Sequence, residues 1–176
     1  MKVILVMVAT INGKTTKGNI PGTTDLASIE DQEYFFQTLA ENNLLIMGSK
    51  TYEAARLDMK LTADRLRVIL TSNPDKYKKY FREGELEFSS LPLHNLLESL
   101  EKRGFNQAIL LGGERTNTDF LREKLVDEIW LTLEPKIFGE GNELLSTTDV
   151  AIDLELLSID RLNTRGTMLL KYAVRR

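Results

Sequence analysis

Residues 108–135 read AILLGGERTNTDFLREKLVDEIWLTLEP, and this stretch decides the fold class. An unbroken apolar run at residues 108–111 ends in Gly112-Gly113, which is typical of a buried strand followed by a turn. A helix is predicted from about Thr116 to Lys124, and residues 129–134 alternate apolar and polar side chains as a strand does. A strand, a helix and a second strand in this order predict one unit of an α/β fold.

The same rhythm runs through the rest of the chain. Three earlier apolar runs of strand length, at residues 3–9, 44–47 and 68–70, begin or end near Gly, Asn or Ser. Runs that are apolar on both faces are typical of parallel strands covered by helices on both sides. Between such runs, four leucines from Leu93 to Leu100 follow the i, i+3, i+4, i+7 spacing of an amphipathic helix.

A further helix is predicted to begin at Ser28, because a serine hydroxyl at this position caps a free backbone N–H. The spacing predicts that Phe35, Phe36 and Leu39 face inward. Asp31 falls in the first turn of this helix, where an acid commonly serves only to stabilise the helix dipole. That ordinary role is the favoured interpretation of Asp31 from the residues alone, and a role in a binding site is the alternative.

The C-terminal third of the chain changes character. Part of residues 167–174 alternates, and residues 163–166 have the composition of a hairpin turn. The whole pattern predicts an α/β three-layer sandwich, in which a mostly parallel central sheet is flanked by helices and finished by a C-terminal antiparallel hairpin. Since no linker or repeat interrupts the pattern, we expect residues 1–176 to form a single domain.

The amino-acid composition excludes several classes of reaction and of binding site. The 176 residues include no Cys and only His94, and 23 basic against 26 acidic residues give a net charge of −3. These counts exclude disulfides, thiol nucleophiles and sites with two imidazoles, and no metal site is predicted. The mild acidity argues against nucleic acid or an anionic membrane as a partner. The apolar run at residues 3–9 is too short to span a bilayer and no cleavage site follows it, so we expect a cytoplasmic protein.

Three predicted strands end in residues that suit a ligand. These are Gly48-Ser49-Lys50-Thr51, Thr71-Ser72 and Gly112-Gly113. In a parallel sheet the three strand ends lie at the same edge, which is where open α/β sheets bind ligands. Adjacent glycines let a phosphate approach a helix N-terminus, although they serve a simple tight turn equally well.

Two well-known phosphate motifs are absent. Gly13-Lys14-Thr15 lacks the earlier glycine of a P-loop, because Val8 stands at that position. Gly139-Glu140-Gly141 lacks the third glycine of the Rossmann fingerprint, because Leu144 stands there. Residues 76–82 interleave basic and aromatic side chains, for which we favour an exposed helix face, with contact to a cofactor phosphate as the alternative.

Several segments together resemble a known family. Gly48-Ser49-Lys50-Thr51-Tyr52-Glu53 resembles the strand-end segment of dihydrofolate reductases. Leu110-Leu111-Gly112-Gly113-Glu114, followed by Gly139-x-Gly141, resembles even more the reductase domain of the bifunctional riboflavin-biosynthesis deaminase-reductase, and so does Ala9-Thr10-Ile11-Asn12-Gly13-Lys14. From residue 3 to about 145 the chain is therefore similar to the dihydrofolate-reductase-like superfamily, and closest to its riboflavin branch.

The resemblance implies an NADPH-dependent oxidoreductase that transfers a hydride to a C=N or carbonyl carbon of a pyrimidine- or pterin-like molecule. It implies that Asp31 grips the substrate ring, where the acid of dihydrofolate reductases lies, and that Thr132 supports it. The cofactor contacts that it implies are Ala9, Gly48, Ser49, Lys50, Thr51, Thr71, Ser72, Gly112, Gly113, Glu114 and Arg115. Related reductase domains pair, so the resemblance also implies a homodimer.

The chain departs from both relatives. Pro21-Gly22 stands where dihydrofolate reductases have Pro-Trp, and Ser49 stands where an Arg commonly binds the 2′-phosphate of NADPH, which leaves Lys50 as the nearby cation. The first helix lacks the Arg that the riboflavin enzymes use for the substrate's phosphate. A dihydrofolate reductase and a non-catalytic nucleotide-binding module of the same fold therefore stay open as alternatives.

Overall fold

The computed structural model describes residues 1–20, 22–23, 25–146 and 149–175. Pro21, of the Pro21-Gly22 pair, lies outside these ranges. The strands are β1 (Lys2–Thr10), β2 (Leu44–Gly48), β3 (Leu66–Leu70), β4 (Leu86–Ser89), β5 (Gln107–Leu110), β6 (Glu128–Glu134), β7 (Leu154–Arg161) and β8 (Met168–Val174). The helices are α1 (Ile29–Ala40), α2 (Ser49–Ala55), α3 (Leu93–Lys102) and α4 (Glu114–Arg122), with a 3₁₀ helix at Pro74–Tyr80.

The strands of the described residues form one sheet in the order β4-β3-β2-β5-β1-β6-β8-β7. Neighbours among β1 to β6 are parallel, whereas β8 pairs antiparallel with both β6 and β7. This confirms the predicted fold class, a mostly parallel sheet between helices with an antiparallel C-terminal hairpin. Because β1 to β6 all run the same way, their carboxyl ends meet at one edge of the sheet.

Both faces of the central strands are buried. On one face Val3, Leu5 and Ala108 pack with the leucines of α3 and with Phe120 of α4. On the other face Ile4, Val6, Leu45 and Ile109 pack against Phe35 and Leu39 of α1. Strands covered on both sides need apolar residues at successive positions, which explains the unbroken runs in the sequence.

Some local predictions were wrong in detail. Phe36 is 63% exposed, because successive helical residues point about 100° apart and α1 turns Asp31 and Thr38 to the sheet instead. Helix α4 begins at Glu114, directly after Gly113 and before the predicted start. Strand β4 was not predicted, since it is only four residues long and has no apolar run.

The segment predicted as an exposed helix face is the 3₁₀ helix. Its lysines are exposed, but Tyr77 is 3% exposed and stacks on Phe88 with ring centroids 4.8 Å apart. Lys76 is bound by Glu53 on α2, with Nζ 3.4 Å from the carboxylate. This segment therefore packs on the sheet beyond β3, with one aromatic side chain buried.

The loop after β1 is held against the loop after β6. The Thr15 and Gly18 amides donate to the carbonyls of Asn142 and Glu140, each at 2.8 Å. Between these bonds lies Gly141, with φ +150°, where an added Cβ would overlap the Thr16 carbonyl oxygen. Glycine is therefore required at residue 141 for the two loops to pair, and the pairing fixes the loop beside the end of β1.

Replacing Gly141 by Ala is expected to lower the free energy of unfolding by about 1–3 kcal/mol, the usual cost of overpacking. Gly139 is the matched control, because a Cβ at Gly139 would meet nothing within 4 Å. Urea denaturation of both variants checks this. Equal stability of G141A and G139A would contradict the pairing of the two loops.

Candidate active site

The ends of β2 and β5 are in direct contact. The Gly48 amide donates to the Gly112 carbonyl at 2.7 Å. A Cβ on Gly48 would lie 2.5 Å from Thr116 Oγ1, and one on Gly113 would lie 3.1 Å from Thr51 Oγ1. Only glycine at residue 48 lets the turns before α2 and α4 approach this closely.

Helix α4 starts at this contact without a side-chain cap. Its N-cap is Gly113, which has no side chain to accept the N–H groups of the first turn. Gly112 has φ +79°, in the region that favours glycine, and the Gly112–Gly113 peptide bond is cis. Free amides at the N-terminus of a helix are donors for an anion such as a phosphate.

Beneath this turn lies Asn117, which is fully buried. Its amide nitrogen donates to the Leu144 carbonyl at 2.9 Å, and its Oδ1 has no partner among the described residues. A Cβ added at Gly112 would lie only 3.4 Å from this Oδ1, so the oxygen lies directly against the glycine turn. A buried acceptor without a donor is rare, so the glycine turn has hydrogen-bonding capacity that the chain itself does not use.

The pairing of β1 with β5 ends at the same edge, and we call the gap between their ends the slot. Strand β5 pairs with β1 only as far as Leu110 opposite Leu5, whereas β1 continues to Thr10 beside β6. Ala9 therefore pairs with Leu133 of β6 on one side and with no strand on the other, and it is 2% exposed. In the sheet order, the glycine turn after β5 and Thr132 on β6 stand on opposite sides of β1, so the end of β1 separates the two groups of predicted site residues.

The remaining predicted cofactor contacts lie around this edge with different exposures. Thr71 follows β3, and its hydroxyl accepts the Asn73 amide at 3.2 Å. Lys50 is exposed, and no described carboxylate pairs with it, so it is free to meet an anion. Arg115 is 93% exposed, with its Nε 3.8 Å from Asp119 on the outer side of α4. Of the predicted cofactor contacts, Arg115 has the weakest structural support. Ser49 and Glu114 are half-buried, and Ser72 is exposed.

Asp31 lies on the other side of the slot, where α1 meets the sheet. It is 5% exposed, and its backbone N–H donates to the Ser28 hydroxyl at 3.3 Å, which confirms the predicted cap. Its carboxyl lies near the hydroxyl of Thr132 on β6, which acts to lower the pKa of Asp31. The two residues predicted as catalytic are thus brought together.

Glu134 is a site residue that sequence reasoning missed. It lies two residues after Thr132 on the same face of β6 and is 1% exposed. Its Oε1 accepts the Ser28 amide at 2.7 Å, and its Oε2 accepts the Thr167 hydroxyl at 2.8 Å. The available signal was the alternation of β6, which puts Trp130, Thr132 and Glu134 on one face. A buried position for a carboxylate is uncommon and needs partners such as these.

The electrostatics of this corner raise the pKa of Asp31. Burial is the largest cause, because it disfavours the charged form, and the nearby charge of Glu134 acts in the same direction. The hydroxyl of Thr132 opposes them only in part. An acid that keeps its proton to higher pH is suited to proton donation near neutral pH.

Comparison with known proteins agrees with this architecture. The RibD C-terminal domain family matches residues 1–167 of the chain. The chain is a member of the RibD C-terminal domain family. This confirms the predicted riboflavin branch of the dihydrofolate-reductase-like superfamily.

Three relatives illustrate the range of this fold. The uncharacterized protein YwjB of Bacillus subtilis (strain 168) is 26% identical over 183 residues, covering 98% of this chain and 94% of YwjB. A pyrimidine reductase-like protein from Corynebacterium diphtheriae superposes with a TM-score of 0.79 at 14% identity, covering 99% and 92% of the two chains. Dihydrofolate reductase from Enterococcus faecalis, in a complex with NADP(H), superposes with a TM-score of 0.69 at 18% identity, covering 99% of this chain and 97% of the reductase. The RibD C-terminal domain thus shares its fold with dihydrofolate reductase.

The described part of the chain contains no helix that is long and apolar enough to cross a membrane.

Replacing Asp31 by Asn is expected to raise thermal stability at neutral pH. Since the pKa of Asp31 is higher in the folded state than in the unfolded state, the folded state binds more protons between the two values. Wild-type stability therefore falls as the pH rises from the ordinary Asp value of about 3.9 through the folded pKa, and D31N lacks this fall.

Scanning calorimetry from about pH 3 to about pH 8 checks this linkage. The difference in Tm between D31N and wild type should grow with pH, to a few degrees in favour of D31N. Asp58→Asn, at an exposed position, is the control and should track wild type throughout. A D31N difference that does not vary with pH would count against the raised pKa.

Proposed function

We propose that the chain is an NADPH-dependent reductase of the riboflavin-biosynthesis type, which transfers a hydride to a C=N or carbonyl carbon of a pyrimidine- or pterin-like molecule. The observation that carries this proposal is the slot between an uncapped helix start and a buried acid. Membership of the RibD C-terminal domain family supports the reaction class. The absence of Cys and the single His fit a reaction in which the cofactor supplies the reactive group.

The residues at the sheet edge fit a dinucleotide. The first-turn amides of α4, with Gly112-Gly113, would hold the pyrophosphate, and the hydroxyl of Thr51 lies against the same turn. Thr71 and Ser72 would contact the adenosine end. Lys50, which has no carboxylate partner in the described part of the chain, would favour the 2′-phosphate of NADPH over NADH. Ala9, at the slot, would lie beside the nicotinamide, since its small side chain leaves room there.

When bound, NADPH would supply a hydride, which carries two electrons, to the substrate carbon, and the substrate's nitrogen or oxygen would take up a proton. Asp31 would bind the polar edge of the substrate ring and provide that proton, directly or through a water molecule. Thr132 would hold the Asp31 carboxyl in place. Phe35 and Trp130, which pack on the same face of the sheet, would supply an apolar wall for the ring.

Two alternatives share the fold. A dihydrofolate reductase would need a pocket for folate, and Gly22 instead of the usual Trp removes an aromatic side chain from it. A non-catalytic nucleotide-binding module would bind NADPH without turnover. The buried acid beside the slot favours an enzyme over such a module, because a buried carboxyl with a raised pKa costs stability.

Binding of NADPH is the first test of the proposal. Wild type should show a higher Tm in millimolar NADPH, with a smaller effect of NADH. Gly48→Ala should weaken NADPH binding by about tenfold or more, equal to about 1.4 kcal/mol, because its Cβ would push the two turns apart at Thr116. The double variant G48A/T116A removes that clash and should recover affinity, while T116A alone is the control. If neither nucleotide changed the Tm of wild type, the reductase proposal would fail.

Turnover separates the remaining candidates. NADPH oxidation is followed spectroscopically with pyrimidine, pterin and simple carbonyl substrates. Oxidation with dihydrofolate alone would favour the dihydrofolate reductase alternative. Binding of NADPH without oxidation by any of these substrates would favour the non-catalytic module.

We also propose that the protein is a homodimer formed through β7. This strand is at the edge of the sheet, and its Leu154, Leu156, Leu157 and Ile159 are 41–54% exposed. An exposed apolar edge strand invites pairing with another strand, and two copies of β7 can pair antiparallel about a twofold axis.

Light scattering after size-exclusion chromatography tests the dimer. Wild type should elute with twice the mass of one chain, and Leu157→Lys should reduce it to the mass of the monomer. Leu57→Lys is the matched control, since Leu57 is 85% exposed and lies far along the sheet beside α2. A monomeric wild type would rule out the dimer and leave the reductase proposal unaffected.

A further inference from the structure

Glu134 joins three separate parts of the chain. One carboxylate oxygen holds the backbone of Ser28, the N-cap of α1, and the other holds the hydroxyl of Thr167, directly before β8. Both partners are buried, and Glu134 itself is 1% exposed. The carboxylate therefore fixes the distance from α1 to the C-terminal strands at the level of the site.

The hydrogen bonds continue into the hairpin turn. Asn163 Nδ2 donates to the Thr167 hydroxyl at 2.8 Å and to Glu30 on α1 at 3.1 Å. Asn163 Oδ1 accepts the Thr167 amide at 3.1 Å. The turn is thus bound to the first turn of α1 from a second side, and Thr167 is left with its hydroxyl hydrogen directed to Glu134.

Asp31 depends on this arrangement for its position. Its backbone N–H is bound by the Ser28 hydroxyl, and its carboxyl lies near the hydroxyl of Thr132, two residues before Glu134 on β6. Moving Ser28 away from Glu134 would therefore move the first turn of α1 relative to Thr132. A displacement of a catalytic group by about 1 Å can cost about a hundredfold in rate.

We propose that Glu134 is the positioning residue of Asp31, which it places against Thr132 by anchoring the start of α1. The same bonds hold the Glu134 carboxylate where its charge acts on the Asp31 carboxyl. The proposal rests on the role proposed above for Asp31 as the acid that binds and protonates the substrate. It adds a second buried acid, which contacts no substrate itself. Its partners, Ser28 and Thr167, become part of the support of the site.

Other ionisable groups near Asp31 do not produce the same effect. Tyr34 lies one turn further along α1, and burial raises its pKa to about 12, so it stays neutral in the range where Asp31 titrates. Glu41, the C-cap of α1, and Asp160 on β7 act on Tyr34, and Lys171 on β8 lies over the Tyr34 ring at 5.5 Å. Glu30 is bound to Asn163 and faces the hairpin turn. Glu134 is thus the buried charge that acts on Asp31.

Carbon-13 NMR of the aspartate carboxyl groups, with D31N to assign the Asp31 signal, tests the proposal without cofactor or substrate. Glu134→Gln keeps the shape of the side chain and removes its charge, so the pKa of Asp31 should fall toward the ordinary Asp value. Thr167→Val breaks the same bridge from its other end but keeps the charge, so Asp31 should retain a raised pKa. A lower Tm of E134Q with an unchanged pKa of Asp31 would reduce Glu134 to a structural role and overturn the proposal.

A second measurement needs only variants at Asp31. The wild-type Ser28 amide, bound to Glu134, should change its NMR shift at the pKa that the Asp31 carboxyl reports, and D31N should abolish that change. A Ser28 amide that does not respond to Asp31 would also overturn the proposal, even if E134Q failed to fold. Both NMR experiments are done without nucleotide. A failure of NADPH to bind would therefore refute the reductase proposal but leave the test of Glu134 valid.

Discussion

The rest of the site depends on the hydrogen bond from the Gly48 amide to the Gly112 carbonyl, 2.7 Å long. It joins the turns that follow two neighbouring strands, and it forms because no side chain stands between them. The contact directs the start of α4, with its uncapped amides, to the edge where β1 leaves β5. The phosphate-binding capacity of this edge therefore comes from backbone atoms, and few side chains are needed to produce it.

On the other side of the slot, a side chain and not the backbone provides the chemistry. The start of α1 is capped by Ser28 and held by Glu134, so the amides of Ser28 and Asp31 already have partners within the chain. What this side presents instead is a buried carboxyl with a raised pKa. One side of the slot thus suits a phosphate-bearing cofactor, and the other suits a substrate that accepts a proton.

The fold was predictable because burial on both faces of a parallel sheet leaves unbroken apolar runs, and because glycine and serine mark the strand ends. The position of Asp31 in a first helical turn was also predictable, and so was the cap at Ser28. The pairing of Asp31 with Thr132 was predicted only from the family resemblance, since no local pattern joins residues about a hundred positions apart. Glu134 looked like an ordinary charged residue at a strand end. Its burial depends on Thr167, which only the sheet order β6-β8 brings beside it.

The most direct test of the account is an NMR titration of the nitrogen-15-labelled protein with NADPH. We expect the amides of Gly48, Gly113, Glu114 and Thr116 to shift together and saturate with one affinity, while the amides of β7 stay unchanged. Shifts confined to other parts of the sheet, or no shift at millimolar NADPH, would contradict it.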